Sequence, residues 1–159
     1  MPSANARLTL LSAHPGLTDD AERATRRATD REWCALLDRG SLEAFADTWE
    51  AQPIFGTRRA LPEPVRSQRR AALLANDPRQ LALAMAAMSL AEMPNYREVL
   101  RDAHCPLTAS AGTLDPKFAA LAREIGDVGP HVRVRLAADV GHDLLTEAPE
   151  QVARILVDE

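Results

Sequence analysis

The spacing of apolar residues changes character twice along the chain. A close-set run, Arg7-Leu8-Thr9-Leu10-Leu11-Ser12, reads as a strand and is closed by the turn residues His14-Pro15-Gly16. Asp19 followed by Glu22 is a capping-box signal that opens a helix to about Arg39, where Gly40 ends it. Ser41 can cap a second helix, in which Leu42, Phe45, Ala46 and Trp49 fall at i, i+3, i+4 and i+7 on one apolar face, and Pro53 stops it. A third helix is expected around Pro62 to Pro64. A fourth starts at Asp77-Pro78, with Gln80 as the third position of another capping box and Leu81, Met85 and Met88 as its buried stripe. Asn95, supported by Glu98, opens a short fifth.

Beyond this helical block the pattern alternates. Pro106 to Gly112 reads as a weak strand, Pro116 to Ile125 as a helix, His131 to Leu136 as a strand and Ala148 to Val157 as a helix. In the last strand Val132, Val134 and Leu136 alternate with Arg133 and Arg135, the period-2 pattern of a sheet edge with one wetter face. The expected class is therefore α/β, with three strands forming a thin sheet for so many helices. The first strand reads as buried and as lacking a neighbour on one side.

Composition narrows the classes further. With 159 residues, 46% hydrophobic and 26% charged, the chain suits one compact domain and is too apolar for a disordered tail. A net charge of -4, with basic residues spread along the chain, argues against a nucleic-acid partner. The segment Met1 to Arg7 shows no export signal, and no apolar run is long enough to span a bilayer, so no membrane association is expected. Cys34 and Cys105 are isolated from each other and form no metal or redox motif, which fits a reducing cytoplasm. No metal site is expected.

Two loops follow strands at the carboxyl end, where parallel sheets place their sites: Gly112 to Phe118 and Asp139 to His142. An aspartate on the first, Asp115, would orient the imidazole on the second, His142, and stabilise its charged form. The order acid then base is that of the α/β-hydrolase triad. Each residue also has a simpler reading, Asp115 as the cap of the helix after Pro116 and His142 as a turn residue after Gly141. Arg26, seven residues before Trp33 and eleven before Leu37, shares an apolar helical face and calls for an anionic partner, or else pairs with Glu22 or Asp30 on the helix surface. His14 reads as a turn or packing residue, and His104 and His131 as loop histidines without partners.

Several stretches taken together carry a resemblance: Leu10 to Leu17 with its His-Pro-Gly-Leu, Glu22-Arg23 to Arg26, Asp30-Arg31-Glu32-Trp33, Phe45 to Trp49 with Pro53-Ile54-Phe55, Leu114 to Phe118, and Gly141-His142. In order and spacing they resemble the 2-succinyl-6-hydroxy-2,4-cyclohexadiene-1-carboxylate synthases of menaquinone biosynthesis, members of the α/β-hydrolase superfamily. The resemblance implies a partial α/β-hydrolase fold of three parallel strands, with a helical cap inserted between the first and second. The parts would be residues 1–17 (first core strand and turn), 18–104 (cap and connecting helix) and 105–159 (the β/α end of the core). The family eliminates pyruvate from a cyclohexene carboxylate by proton abstraction, through a serine, aspartate and histidine triad and without metal or organic cofactor. By that likeness Asp115 and His142 are the acid and base, Arg26 and Trp49 contact the substrate, and the partner is a small carboxylated molecule.

The sequence also departs from the family. The G-x-S-x-G nucleophile elbow is absent from the 159 residues, and a second substrate-contacting arginine falls at Leu73, with Arg70 one helical turn earlier. The expectation is a C-terminal portion of such a synthase, inactive alone and prone to self-association through an unpaired strand edge. A fragment of an esterase or carbon-carbon hydrolase of the same fold, and a non-catalytic helical interaction protein, remain as alternatives.

Overall fold

A computed structural model describes residues 6–157. Strand β1 (Leu8–Leu11) is followed by helices α1 (Asp20–Arg39) and α2 (Leu42–Glu50), a 3-10 helix (Pro53–Ala60), and helices α3 (Glu63–Leu74), α4 (Pro78–Ala87) and α5 (Arg97–Arg101). Strand β2 (Leu107–Gly112), helix α6 (Pro116–Gly126), strand β3 (Val132–Ala137), the single turn α7 (Leu144–Glu147) and helix α8 (Pro149–Val157) complete the chain. The three strands form one parallel sheet in the order β1-β2-β3, with Leu8 opposite Leu107 and Leu107 opposite Val132. The α/β class, with the helical block inserted between the first and second strands, follows the sequence reading.

The expected caps form through local bonds. Asp19 accepts the Glu22 amide at 2.8 Å, Ser41 that of Ala44 at 3.2 Å, and Asp77 that of Gln80 at 2.9 Å. The differences are equally local. Residues 53–60 wind into a 3-10 helix that the sequence pattern did not indicate, and a short turn, α7, precedes α8. Tyr96, not Asn95, stands at the start of α5. Helix α4 ends at Ala87, so Met88 leaves the helical path and is 83% exposed instead of extending the stripe of Leu81 and Met85. His131 is not without a partner, since its Nε2 lies 2.9 Å from the Leu100 carbonyl.

The chain divides into two compact units. One comprises the described parts of Met1–Pro15, Ile54–Ala60 and Tyr96–Glu159, and holds the sheet. Its central strand β2 is buried along its whole length although it is Leu-Thr-Ala-Ser-Ala-Gly, poor in the β-branched residues such strands favour. The small side chains have a reason: Ala109 and Ala111 share one apolar cluster with Ala119, Ala122 and Ile125 of α6, which lets helix and sheet approach closely. Strand β1 is less covered than its leucines suggest, with Leu8 38% exposed, because it stands at the sheet edge among the described residues.

The second unit, Gly16–Pro53 and Leu61–Asn95, is helical. Leu37, Phe45 and Ala82 are its buried centre, surrounded by Trp33, Trp49, Leu81 and Met85. A polar staple lies beside this core. Asp30, 6% exposed, receives Arg26 and the Ser89 hydroxyl, the latter at 2.5 Å, and Ser89 Oγ in turn accepts the Ala91 amide. Arg23 donates to the carbonyls of Leu17, Ala91 and Met93, so the two ends of this unit are tied by side-chain bonds to backbone. Among the described residues no helix is long and apolar enough to cross a membrane.

Burial sets the expected cost of substitution in this unit. Phe45→Ala removes a side chain only 2% exposed and should cost about 3–5 kcal/mol, whereas Met88→Ala should stay within about 0.5 kcal/mol of the parent. Urea denaturation of both variants checks the contrast; a large loss for Met88→Ala would contradict the observed helix end.

Candidate active site

The candidate site lies at the carboxyl ends of β2 and β3, within the sheet unit. After β2 the chain turns through Thr113 and Leu114 to Asp115, which precedes Pro116 at the first turn of α6. Asp115 uses both carboxylate oxygens. Its Oδ1 accepts the Phe118 amide at 3.1 Å and caps α6, while Oδ2 accepts from Nδ1 of His142 at 2.8 Å. The carboxylate is buried, at 7% exposure. With Nδ1 donating to Asp115, a neutral imidazole carries its lone pair on Nε2, the form needed to take a proton. Nε2 has no hydrogen-bond partner among the described residues, and His142 lines a cleft of about 260 Å³ together with Leu11, Ser12, Phe55, Arg58, Asp143 and Leu144. Phe118 packs on the imidazole with ring centres 4.4 Å apart.

Backbone contact brings the two loops together. The Thr113 and Leu114 amides donate to the carbonyls of Ala137 and Val140, both at 2.9 Å, and Thr113 Oγ1 accepts the Asp139 amide. Gly112 allows the approach, since a Cβ there would lie 2.1 Å from the Val140 carbonyl oxygen and 2.3 Å from that of Gly141. Among the described residues, two other than glycine have positive φ, Ser12 at 44° after β1 and Asp139 at 59° after β3, so the chain bends sharply as it leaves both outer strands. Ser12 Oγ donates to the His142 carbonyl at 2.8 Å.

The other residues singled out from sequence lie in the helical unit. Arg26 on α1 places Nε 2.8 and 2.9 Å from the two oxygens of Asp30, the i, i+4 pair that spacing allowed, and its side chain is 42% exposed. Trp49 on α2 stacks on Phe45 and meets Trp33 edge to face, with ring centres 5.7 and 5.3 Å apart. Arg70 on α3 is held by Glu50 at 2.7 Å and Asp47 at 2.5 Å. Burial, then the nearby carboxylates Asp30 and Asp38, push the Cys34 thiol up from its ordinary value, which suppresses the thiolate. Among the described residues no group of three or more His, Cys, Asp or Glu side chains could hold a metal ion. Ser110, in mid-strand on β2 and 2% exposed, has no position from which to attack a substrate.

Arg58 had no signal in the sequence, and Phe55 entered only within the stretch that carries the resemblance. Phe55 faces the His142 ring at 6.3 Å between centres, and Arg58 lies 3.8 Å over the Phe55 ring while pairing with Asp143 at 2.8 Å. All of these reach the histidine loop from the 3-10 helix, whose pattern announced no element. The intimacy of the loops gives a direct expectation. Gly112→Ala should lower stability by about 1–3 kcal/mol through overpacking and should separate Asp115 from His142. A crystal structure of that variant with the 2.8 Å contact intact would contradict this.

No protein-family model matches the chain. It is 33% identical over 149 residues to the 2-succinyl-6-hydroxy-2,4-cyclohexadiene-1-carboxylate synthase of Salmonella schwarzengrund (strain CVM19633), covering 91% of this chain and 54% of that protein. The solved structure of MenH from S. aureus matches with a TM-score of 0.92 and 27% identity, over 96% of this chain and 57% of that one. A thermophilic esterase from Thermogutta terrifontis, 21% identical with a TM-score of 0.72 over 96% of this chain and 54% of its own, shares the fold. The chain thus spans about half the length of the relatives it matches. In sequence and in fold it corresponds to the C-terminal portion of the 2-succinyl-6-hydroxy-2,4-cyclohexadiene-1-carboxylate synthases, with a partial α/β-hydrolase fold.

Proposed function

We propose that the chain is the base-bearing portion of a synthase that eliminates pyruvate to form 2-succinyl-6-hydroxy-2,4-cyclohexadiene-1-carboxylate in menaquinone biosynthesis. The observation that carries the reading is the 2.8 Å contact between His142 Nδ1 and Asp115 beside a cleft that His142 lines. In this role Nε2 of His142 accepts the proton that triggers loss of pyruvate, and Asp115 holds the ring in the required tautomer and stabilises the imidazolium. The reaction is a proton transfer followed by cleavage of a carbon-oxygen bond, so it calls for neither metal nor organic cofactor. Arg26 and Trp49 are assigned to the substrate: the guanidinium, held at Nε by Asp30, keeps its terminal amino groups for a carboxylate, and the indole offers an apolar wall.

The 159 residues contain no G-x-S-x-G, so they offer no serine nucleophile and no oxyanion hole of the family's type. The purified chain should therefore release no pyruvate above background. Loss of the nucleophile from a triad costs on the order of a millionfold in turnover. Mixing with the N-terminal half of a related synthase should restore pyruvate release from the carboxylated cyclohexene. His142→Ala should then lower that rate by about 10²–10⁴-fold. Turnover of simple esters in its place would favour an esterase or carbon-carbon hydrolase. A reconstituted activity indifferent to His142→Ala would remove the histidine from the mechanism.

The exposed edge of β1 gives a companion expectation, self-association of the isolated chain by strand pairing. Light scattering over a concentration series should show mass growth that Thr9→Lys reduces. A monomer at every concentration would leave the edge without that role.

A further inference from the structure

We propose that Glu147 is a positioning residue for His142, acting with Thr57 as a bracket that fixes the backbone on both sides of the imidazole. The inference rests on the reading of His142 as the base. It concerns residues that neither the motif pattern nor the triad includes.

The Glu147 carboxylate collects three donors. Oε2 accepts the Gly141 amide at 2.7 Å, and Oε1 accepts the Asp143 amide at 3.2 Å and the Thr57 hydroxyl at 3.0 Å. Gly141 and Asp143 are the neighbours of His142 in sequence, so one side chain holds the peptide on either side of the base. The remaining handle is the His142 carbonyl, which accepts from Ser12 Oγ at 2.8 Å. No strand or helix ladder passes through residues 138–143, so these side-chain bonds take the place of regular structure there. Bonds to a carboxylate are charge-assisted and stronger than bonds between neutral groups.

Gly141 is part of the same device. A Cβ at that position would lie 2.0 Å from Thr57 Oγ1 and 2.9 Å from Glu147 Oε2, so only glycine admits the bracket at this distance. Thr57 comes from the 3-10 helix, 90 residues away in sequence. That segment also delivers Phe55 against the imidazole and Arg58 to Asp143, which means three of its side chains meet the histidine loop. Displacing a base by about 1 Å can cost about a hundredfold in rate, so an anchor on each side of His142 bears directly on proton transfer.

The test uses the 159-residue chain and reads the histidine loop by nuclear magnetic resonance, without any assay of turnover. In the parent, the Nδ1 proton of His142 should appear far downfield, and the Gly141 and Asp143 amides should exchange slowly. Glu147→Gln sets an amide donor against one of the three donors. It should speed exchange at Gly141 or Asp143 by about tenfold or more relative to the β2 amides, and broaden or shift the Nδ1 signal. Thr57→Val should move the same signals in the same direction by less, and serves if Glu147→Gln fails to fold. Asp77→Ala, which removes a helix cap in the other unit at a cost of about 1 kcal/mol, should leave them unchanged. An unaltered Nδ1 signal and unaltered exchange in both loop variants, or a parent chain without the downfield proton, overturns the bracket. Because the readout is spectroscopic, its failure stands apart from any failure of pyruvate elimination in the reconstituted mixture.

Discussion

The close approach of the 139–142 backbone to Gly112 is the constraint on which the candidate site depends. Parallel pairing sets β2 and β3 side by side but does not by itself bring the loops beyond them into contact. That requires a residue without a side chain at the end of β2, since a Cβ at 112 would overlap the carbonyls of Val140 and Gly141. Once the loops meet, the Thr113 and Leu114 amides find acceptors across the gap, and Asp115 comes within 2.8 Å of His142. The same approach buries the carboxylate, and a buried carboxylate without donors would be costly. Asp115 has two, the helix amide on one oxygen and the imidazole on the other, so capping α6 and orienting His142 are satisfied by a single placement.

The helical unit solves a comparable problem with a different partner. Asp30 is buried beside an apolar core, and its charge is met by Arg26 and by the Ser89 hydroxyl. A pair on one helix face would count for little in water. Here one member is shielded from solvent and the other is 42% exposed, and the pair engages Arg26 through Nε. A structural ion pair through Nε is thus compatible with the role toward a carboxylate proposed for the same arginine.

The sequence was most legible where the governing contacts are local. Asp19, Ser41 and Asp77 each accept an amide three residues on, so their helices could be read from short windows. The pairing of Asp115 with His142 spans 27 residues and was legible through something else, the alternation of strands and loops at the end of the chain and the order of acid and base. The 3-10 helix at 53–60 was not legible. Its side chains answer to His142, Asp143 and Glu147, about ninety residues on, and its own apolar spacing follows neither helix nor strand period. Met88 failed for the opposite reason, because extending a regular stripe by one more step ignored the end of the helix. Strand β2 looked weak because propensity scores β-branching, whereas a helix lying close on small residues decides its burial.

The division of labour in the sheet unit follows from these distances. His142 is held at its ring by Asp115, at its carbonyl by Ser12, and through the amides of its neighbours Gly141 and Asp143 by Glu147. An imidazole placed in this way is oriented whether or not a nucleophile stands opposite it, since none of the bonds that place it involves a G-x-S-x-G turn. Orientation of the imidazole and attack on a substrate are therefore separable. Ser12 and the residues at 112–118 and 139–147, with the 3-10 helix behind them, contain what is needed for the first.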